Sequence, residues 1–147
     1  MEALYPYVHI IHLILGIMFL GYVFSDLAVI SALKKKFSPE VTQEINKTLG
    51  KRSFAIFPLT LLFIVLTGGM MMSRYINSDA GFFETNLQQI LVLKMLLALV
   101  IVLGVVYNLF CKFTNRPKSV FMQEHFHKLV IVLGLGIVIC AKVMFWA

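Results

Sequence analysis

The stretch that constrains the fold most is residues 90–110, ILVLKMLLALVIVLGVVYNLF, a run rich in Leu, Val and Ile with one charged residue, Lys94. About 20 such residues form a helix that crosses the roughly 30 Å hydrocarbon core of a bilayer. Lys94 lies about a turn and a half inside this run. There, a buried ammonium group costs on the order of 3 kcal/mol unless it reaches the interface or finds a partner. The stretch therefore predicts a membrane-spanning helix whose lysine needs a partner.

The composition and the other apolar runs extend this prediction to the whole chain. Of the 147 residues, 60% are hydrophobic and 14% are charged, which excludes a soluble domain of this size. Helices are predicted at about residues 4–33, 54–74, 88–112 and 120–145, with a connection at residues 34–53. Within that connection, residues 39–49 are predicted to form a short amphipathic helix capped by Ser38. The pattern favours an all-α integral membrane four-helix bundle, up-down-up-down, as a single transmembrane domain over residues 1–147.

The charges of the three connections predict the orientation of this bundle. The first connection carries the cations Lys34, Lys35, Lys36, Lys47, Lys51 and Arg52, and the third carries Lys112, Arg116 and Lys118. The second carries Arg74, Asp79 and Glu84. Because basic connections stay in the cytoplasm, both termini are expected on the outer, periplasmic side of a bacterial inner membrane. The net charge of +6 thus follows membrane topology, and the expected partner is the lipid bilayer and not nucleic acid.

Two of the predicted helices carry polar residues on one face at matching depths. On helix 1 this face holds His12, Gly16, Phe19, Val23 and Asp26, and on helix 3 it holds Lys94, Ala98, Ile101, Val105, Asn108 and Lys112. His12 and Lys94 fall in the outer halves of their helices, and Asp26 and Asn108 fall in the inner halves. Because polar side chains inside a membrane tend to face the bundle interior, we predict a functional site at the level of His12 and Lys94. Asp26 and Asn108 form a second polar level, or Asp26 meets the cationic cytoplasmic surface.

The remaining histidines lie near the ends of helices 1 and 4. His125 and His127 are two residues apart, about 200° around a helix, so they cannot both face one ligand. One of them is expected to face the bundle at the level of Asp26, and the other to meet lipid headgroups or a partner subunit. His9 is nearer the outer surface and is expected to be an interfacial residue.

These features give the chain a resemblance to a family of small four-helix membrane proteins, the HemJ-type protoporphyrinogen oxidases and the CopD-like copper-resistance domain. The matching features are His12 early in helix 1, Pro58 followed by an apolar run that ends in Thr67 and Gly68, and the lone Lys94 early in helix 3. The resemblance implies a bound haem b, with His12 and Lys94 associated with the haem and with activity.

The chain departs from that family in two segments. The inner end of helix 1 reads GYVFSDLAVISALKKKF in place of an arginine-containing segment, and helix 4 opens with VFMQEHFHKLV in place of an NEVP-like segment. These departures favour a haem-carrying relative with a task other than the oxidation of protoporphyrinogen, so whether the protein is an oxidoreductase is left open.

A haem site can also be drawn from the residues themselves. His12 would be the axial ligand of the iron, because neutral imidazole is a common haem ligand and an apolar bundle interior suits a porphyrin. Gly16 would open space one turn away from His12. Lys94, with Arg74 at the outer surface, would pair with the two propionates. The sixth ligand would be Met70 or Met71, or that position would be open.

Three functional hypotheses remain open at the level of the sequence. The first is a haem b protein that acts in electron transfer or in porphyrin and haem handling, with an unknown redox partner; a histidine pair including His9 would require a homodimer. The second is a copper or other metal transport or resistance protein that uses His9, His12 and methionines 70–72 near the outer face. The third is a cofactor-free membrane assembly subunit, whose polar residues fix the helix register.

Overall fold

The computed structural model describes residues 2–77 and 79–146, and these residues are mainly helical. In this part of the chain, four helices are long and apolar enough to cross a membrane: α1 (Tyr5–Lys34), α2 (Pro39–Met72), α3 (Asn86–Phe113) and α4 (Val120–Val143). A short 3-10 turn, Glu2–Leu4, precedes α1. The described residues contain no strand. For the described residues, the prediction of an all-α protein with four helices long and apolar enough to span a membrane is therefore confirmed.

The helices expose large apolar side chains along much of their length. Leu13 on α1, Leu103 on α3 and Val132 on α4 have exposed fractions of 58%, 59% and 65%. Water-soluble monomers rarely expose apolar surface of this extent, whereas lipid tails are as apolar as leucine and accept it. The four apolar helices and their exposed apolar side chains thus indicate a multi-pass membrane protein.

Helix α2 is longer than the predicted span, because it begins at Pro39 and includes the amphipathic segment predicted at residues 39–49. Proline suits the first helical turn, where its missing N–H breaks no hydrogen bond. The Val41 amide donates a hydrogen bond to the Ser38 hydroxyl at 3.5 Å. With 34 residues, α2 is about 50 Å long, well beyond the roughly 30 Å hydrocarbon core. The charged first part of α2 therefore continues the spanning helix outside the core.

The chain divides into two compact units, and the first, Met1–Gly69, contains α1 and most of α2. The two helices of this unit run antiparallel. His12, near the start of α1, contacts Thr67, near the end of α2. Tyr22, further along α1, contacts Ser53, which is earlier in α2. Polar side chains therefore make two of the contacts between α1 and α2.

The buried side of α1 is the face predicted from the periodicity of the sequence. Phe19 and Val23 are buried, and the Phe19 ring stacks on Phe57 of α2 with 4.4 Å between the ring centroids. A π turn, Asp26–Ile30, interrupts α1 beyond this face. Such a turn inserts one extra residue into the helix and rotates the residues that follow it. Asp26, the last polar residue of the predicted face, thus lies at the start of the π turn.

The second unit, Met70–Ala147, contains α3 and α4, which pack against each other. A Cβ atom on Gly104 of α3 would lie 2.5 Å from Cε2 of the buried Phe126 ring of α4. A Cβ atom on Gly136 of α4 would meet Leu97 of α3 at 3.5 Å, an ordinary contact distance. Glycine at position 104 is therefore what allows the aromatic ring to lie against the backbone of α3.

The predicted polar face of α3 is likewise its packed face. Ile101 and Val105, the apolar members of that face, are buried. Of its polar members, Lys94 and Asn108 are half-buried, and Lys112, at the end of the helix, is exposed. A helical period of 3.6 residues is thus sufficient to identify the inward side of α3 from the sequence.

The connection before α3 is folded around one buried side chain, that of Gln88. Its nitrogen Nε2 lies 3.0, 2.8 and 3.2 Å from the backbone carbonyl oxygens of Tyr75, Ala80 and Gly81. Its oxygen Oε1 accepts hydrogen bonds from the amides of Glu84 and Thr85 at 2.9 and 3.2 Å. The Thr85 side chain accepts from the Gln88 amide and completes a capping box. One side chain thus joins the connection to the first turn of α3.

Candidate functional site

His12, the predicted ligand of the haem iron, lies in the first unit. It is half-buried, and its Nδ1 atom lies 2.8 Å from Oγ1 of Thr67, a buried residue of α2. The Thr67 hydroxyl also lies 2.7 Å from the carbonyl oxygen of Phe63 and 3.1 Å from that of Ile64. The imidazole is therefore tied to the backbone of α2 through a single threonine.

Gly68 provides the surface of α2 against which the His12 ring lies. A Cβ atom built on Gly68 would be 3.2 Å from Cε1 of His12 and 3.8 Å from its Nδ1. A larger residue would crowd the ring, so the absence of a side chain permits this close approach. On α1, a Cβ atom on Gly16 would meet no atom within 4 Å. The His12 ring is thus held along one edge, and space is open one turn further along its own helix.

A second hydroxyl group of α2 repeats the arrangement seen at Thr67. The Tyr22 hydroxyl hydrogen-bonds Oγ of Ser53, and Oγ of Ser53 donates to the Leu49 carbonyl at 2.7 Å. Neither Thr67 nor Ser53 is identified from the sequence as a partner of α1. A small hydroxyl residue in an apolar helix is the signal that marks such positions, because its proton must go to the backbone or to a neighbouring helix.

Lys94 is half-buried on α3, inside the second unit. An electrostatic neighbour on α4 is Cys140, a half-buried free thiol. A thiol does not offer the anionic oxygen atoms with which an ammonium group forms its strongest hydrogen bonds. The predicted pairing of Lys94 with a cofactor carboxylate at the level of His12 stays a prediction.

The two residues predicted to form the inner polar level have different local surroundings. Asp26 is half-buried at the start of the π turn of α1. The side-chain amide of Asn108 donates to the carbonyl of Gly104 in its own helix at 3.0 Å. This bond gives Asn108 a partner one turn earlier in α3, without a second helix. The pairing of Asp26 with Asn108 stays a prediction.

The histidines outside the His12 site differ in exposure. His125 is exposed and stacks on Phe121 with 5.2 Å between the ring centroids. His127 is half-buried and lies at a tilt to Phe126, with 5.9 Å between centroids. His9 is exposed near the start of α1, and its position at the membrane interface stays a prediction. The two histidines of α4 therefore occupy different environments, as their spacing requires.

The remaining predicted cofactor contacts lie around the end of α2. Met70 and Arg74 are exposed, and Met71 is half-buried. The assignment of Arg74 as a propionate partner, and of Met70 or Met71 as the sixth ligand, stays a prediction.

Comparisons with known proteins leave the family of this chain to be argued from its own residues. No protein-family model matches the chain, and neither a curated protein nor a solved structure is significantly similar to it. The resemblance to the HemJ-type and CopD-like proteins therefore stays a prediction.

Proposed function

We propose that this protein binds haem b in the bacterial inner membrane, with His12 as an axial ligand of the iron, and acts in electron transfer or in porphyrin and haem handling. The observation that carries the proposal is the hydrogen bond between Nδ1 of His12 and Oγ1 of Thr67. A metal-binding histidine uses one ring nitrogen for the metal and holds the other in a hydrogen bond that sets the ring orientation. His12 has such a bond, to a buried residue of the adjacent helix.

The placement of the His, Cys, Asp and Glu residues favours haem over a metal ion held by such side chains alone. Among the residues that the structure describes, no group of three or more His, Cys, Asp or Glu side chains is placed to hold an ion. A porphyrin brings four nitrogen ligands of its own, so a haem protein needs only one or two axial ligands. A single well-oriented histidine meets that requirement. When bound, haem b would supply a one-electron redox couple.

The surroundings of His12 fit this role. Thr67 and Gly68 hold the ring from the side of α2, so a second helix limits its rotation. No atom lies within 4 Å of a Cβ atom built on Gly16, so this position, one turn from His12, is unobstructed. The exposed apolar residues of α1, such as Leu13, suit the hydrocarbon edge of a porphyrin as well as they suit lipid.

Lys94 and Arg74 are the residues proposed to pair with the propionates. This assignment requires an up-down-up-down bundle with both termini on the periplasmic side, which the distribution of basic residues over the connections supports. In that arrangement His12 and Lys94 share the outer half of the membrane. A carboxylate of the cofactor would then compensate a cation that is costly inside a bilayer.

The absorbance spectrum of the purified protein, oxidised and then reduced with dithionite, tests the proposed function. We expect a Soret band and the α and β bands of a b-type haem. Bound copper without a Soret band would overturn the proposal in favour of a copper protein. Stable protein that takes up neither haem nor copper when supplied with each would overturn it in favour of an assembly subunit.

A further inference from the structure

The hydrogen-bond chain from α1 to α2 determines where the proton of the His12 ring resides. We propose that Thr67 holds the neutral His12 imidazole in the tautomer protonated at Nδ1, so that Nε2 carries the lone pair. The tautomer is inferred from the contacts of Thr67 within the first unit, whereas the use of Nε2 as the ligand of haem iron rests on the proposed function.

Three polar groups and two protons define this tautomer. Oγ1 of Thr67 lies 2.8 Å from Nδ1 of His12 and 2.7 Å from the Phe63 carbonyl oxygen. A carbonyl oxygen can only accept, so the contact at 2.7 Å requires the hydroxyl proton to point at Phe63. A threonine hydroxyl has one proton, and its oxygen then acts as the acceptor toward the imidazole. The proton between Oγ1 and Nδ1 must therefore come from the histidine.

The alternative tautomer leaves a repulsive contact. If Nδ1 carried the lone pair, Thr67 would have to donate to it, and the hydroxyl oxygen would face the Phe63 oxygen at 2.7 Å with no proton between them. The Ile64 carbonyl oxygen, at 3.1 Å, adds a second acceptor on the same side. Thr67 is only 9% exposed, so water has little access to replace the missing proton. The Nδ1–H tautomer gives a hydrogen atom to both short contacts of the Thr67 hydroxyl, at 2.8 Å to Nδ1 and at 2.7 Å to the Phe63 carbonyl oxygen.

Ser53 supplies an internal control for this argument. Its hydroxyl donates to Leu49 and contacts the Tyr22 hydroxyl, so the same donor order runs from α1 through a hydroxyl to an α2 carbonyl. A loss of either hydroxyl removes one such link between α1 and α2. Only the loss of Thr67, however, changes the hydrogen bond of the His12 ring.

The proton position has a consequence for the bound metal. A ligating histidine that donates its other N–H to an acceptor is oriented by that bond and is a more basic ligand, and loss of such a partner typically weakens metal binding about 10–100-fold. Thr67→Val keeps the shape of the side chain but removes the acceptor. The Phe63 carbonyl keeps its place in the backbone of α2, so the contact that is lost is the one between Thr67 and Nδ1 of His12.

Nitrogen-15 NMR of the haem-free protein, labelled in its histidines, tests the tautomer directly at a pH where histidine is neutral. The His12 signals are assigned with His12→Gln. We expect Nδ1 to be protonated in wild type, in Thr67→Ser and in Ser53→Ala, and a mixture or the other tautomer in Thr67→Val. Protonation at Nε2 in wild type would overturn the inference, as would an unchanged tautomer in Thr67→Val.

Titration of the same proteins with haem separates this inference from the proposed function. We expect Thr67→Val to bind haem about 10–100-fold more weakly and to raise the reduction potential, because a less basic histidine favours the reduced iron. Thr67→Ser and Ser53→Ala should match wild type within about threefold. Equal weakening of haem binding in Thr67→Val and Ser53→Ala would mean that Thr67 has only a structural role. That result would overturn its role in positioning the His12 ring. A wild type that binds no haem while its His12 is protonated at Nδ1 would overturn the proposed function and uphold the tautomer.

Discussion

Gln88→Glu should open the connection between α2 and α3 while the spanning helices stay folded. In the native protein, Nε2 of Gln88 faces three backbone carbonyl oxygens at 2.8–3.2 Å. Glutamate keeps one oxygen in its place but puts a second oxygen where the three carbonyl oxygens converge. Attractive contacts are thereby replaced by repulsive ones at the first turn of α3.

The magnitude follows from the hydrogen-bond inventory of the amide group. Its nitrogen carries two hydrogen atoms, so two of the three contacts are full hydrogen bonds at one time. Their loss costs about 2 kcal/mol at about 1 kcal/mol each, and an unsatisfied polar group at a buried position adds about 1–3 kcal/mol. The total of about 3–5 kcal/mol corresponds to an increase of more than about a hundredfold in the open population of the connection.

Hydrogen exchange of the purified protein in detergent or nanodiscs measures that population at the amides of residues 75–85. We expect exchange at least about a hundredfold faster in Gln88→Glu than in wild type. Gln89→Glu makes the same change in charge one residue later, at an exposed side chain with one contact, to the Phe83 carbonyl at 3.3 Å. It should exchange at nearly the wild-type rate. Equal protection in Gln88→Glu and wild type would refute the view that this side chain holds the connection together.

The remaining predictions concern helix packing, the buried lysine and orientation. Gly104→Ala should lower the free energy of unfolding by about 1–3 kcal/mol, because the added methyl group would lie 2.5 Å from a buried ring. Gly136→Ala should leave the free energy of unfolding nearly unchanged. Thermal melts measure both effects. Lys94→Met should reduce haem occupancy and lower the midpoint potential of the haem, because a nearby positive charge is lost. Lys94→Arg should preserve the occupancy. Identical haem occupancy and midpoint potential in wild type and Lys94→Met would rule out the pairing of Lys94 with a propionate. Reporter fusions should place residues 34–52 in the cytoplasm and Asp79 outside. The opposite result would invalidate the assignment of His12 and Lys94 to the same depth in the membrane.

Much of the helical architecture could be predicted from the sequence because apolar run length and charge placement follow from the bilayer itself. A helix is predicted over residues 39–49, but its unbroken continuation into the spanning part of α2 was not predictable in this way. Residues 39–52 are polar enough to read as a connection. After the first turn, however, they contain no proline, and the helix continues through Gly50. A helix that continues past the hydrocarbon core needs no apolar run, so hydropathy does not mark its end.

The candidate site was predictable only in part, for a related reason. The period of α1 places His12 on the packed face with Phe19 and Val23, and this face is buried as expected. The partnership with Thr67 depends on which residues of α2 lie opposite His12, which a single sequence does not encode locally. Gln88 did have a local signal, the Thr-x-x-Gln spacing from Thr85 that is typical of a capping box, but its contacts with the connection required the fold.

Haem content of histidine variants is the most direct test of the claim that His12 binds haem b. The measurement is the Soret absorbance per chain in purified wild type, His12→Ala, His9→Ala and His127→Ala, each supplied with haem. We expect His12→Ala to lose the Soret band, and His9→Ala and His127→Ala to retain it at the wild-type level. Full haem content in His12→Ala, or loss of haem in His127→Ala alone, would contradict the assignment and move the site away from the pair formed by His12 and Thr67.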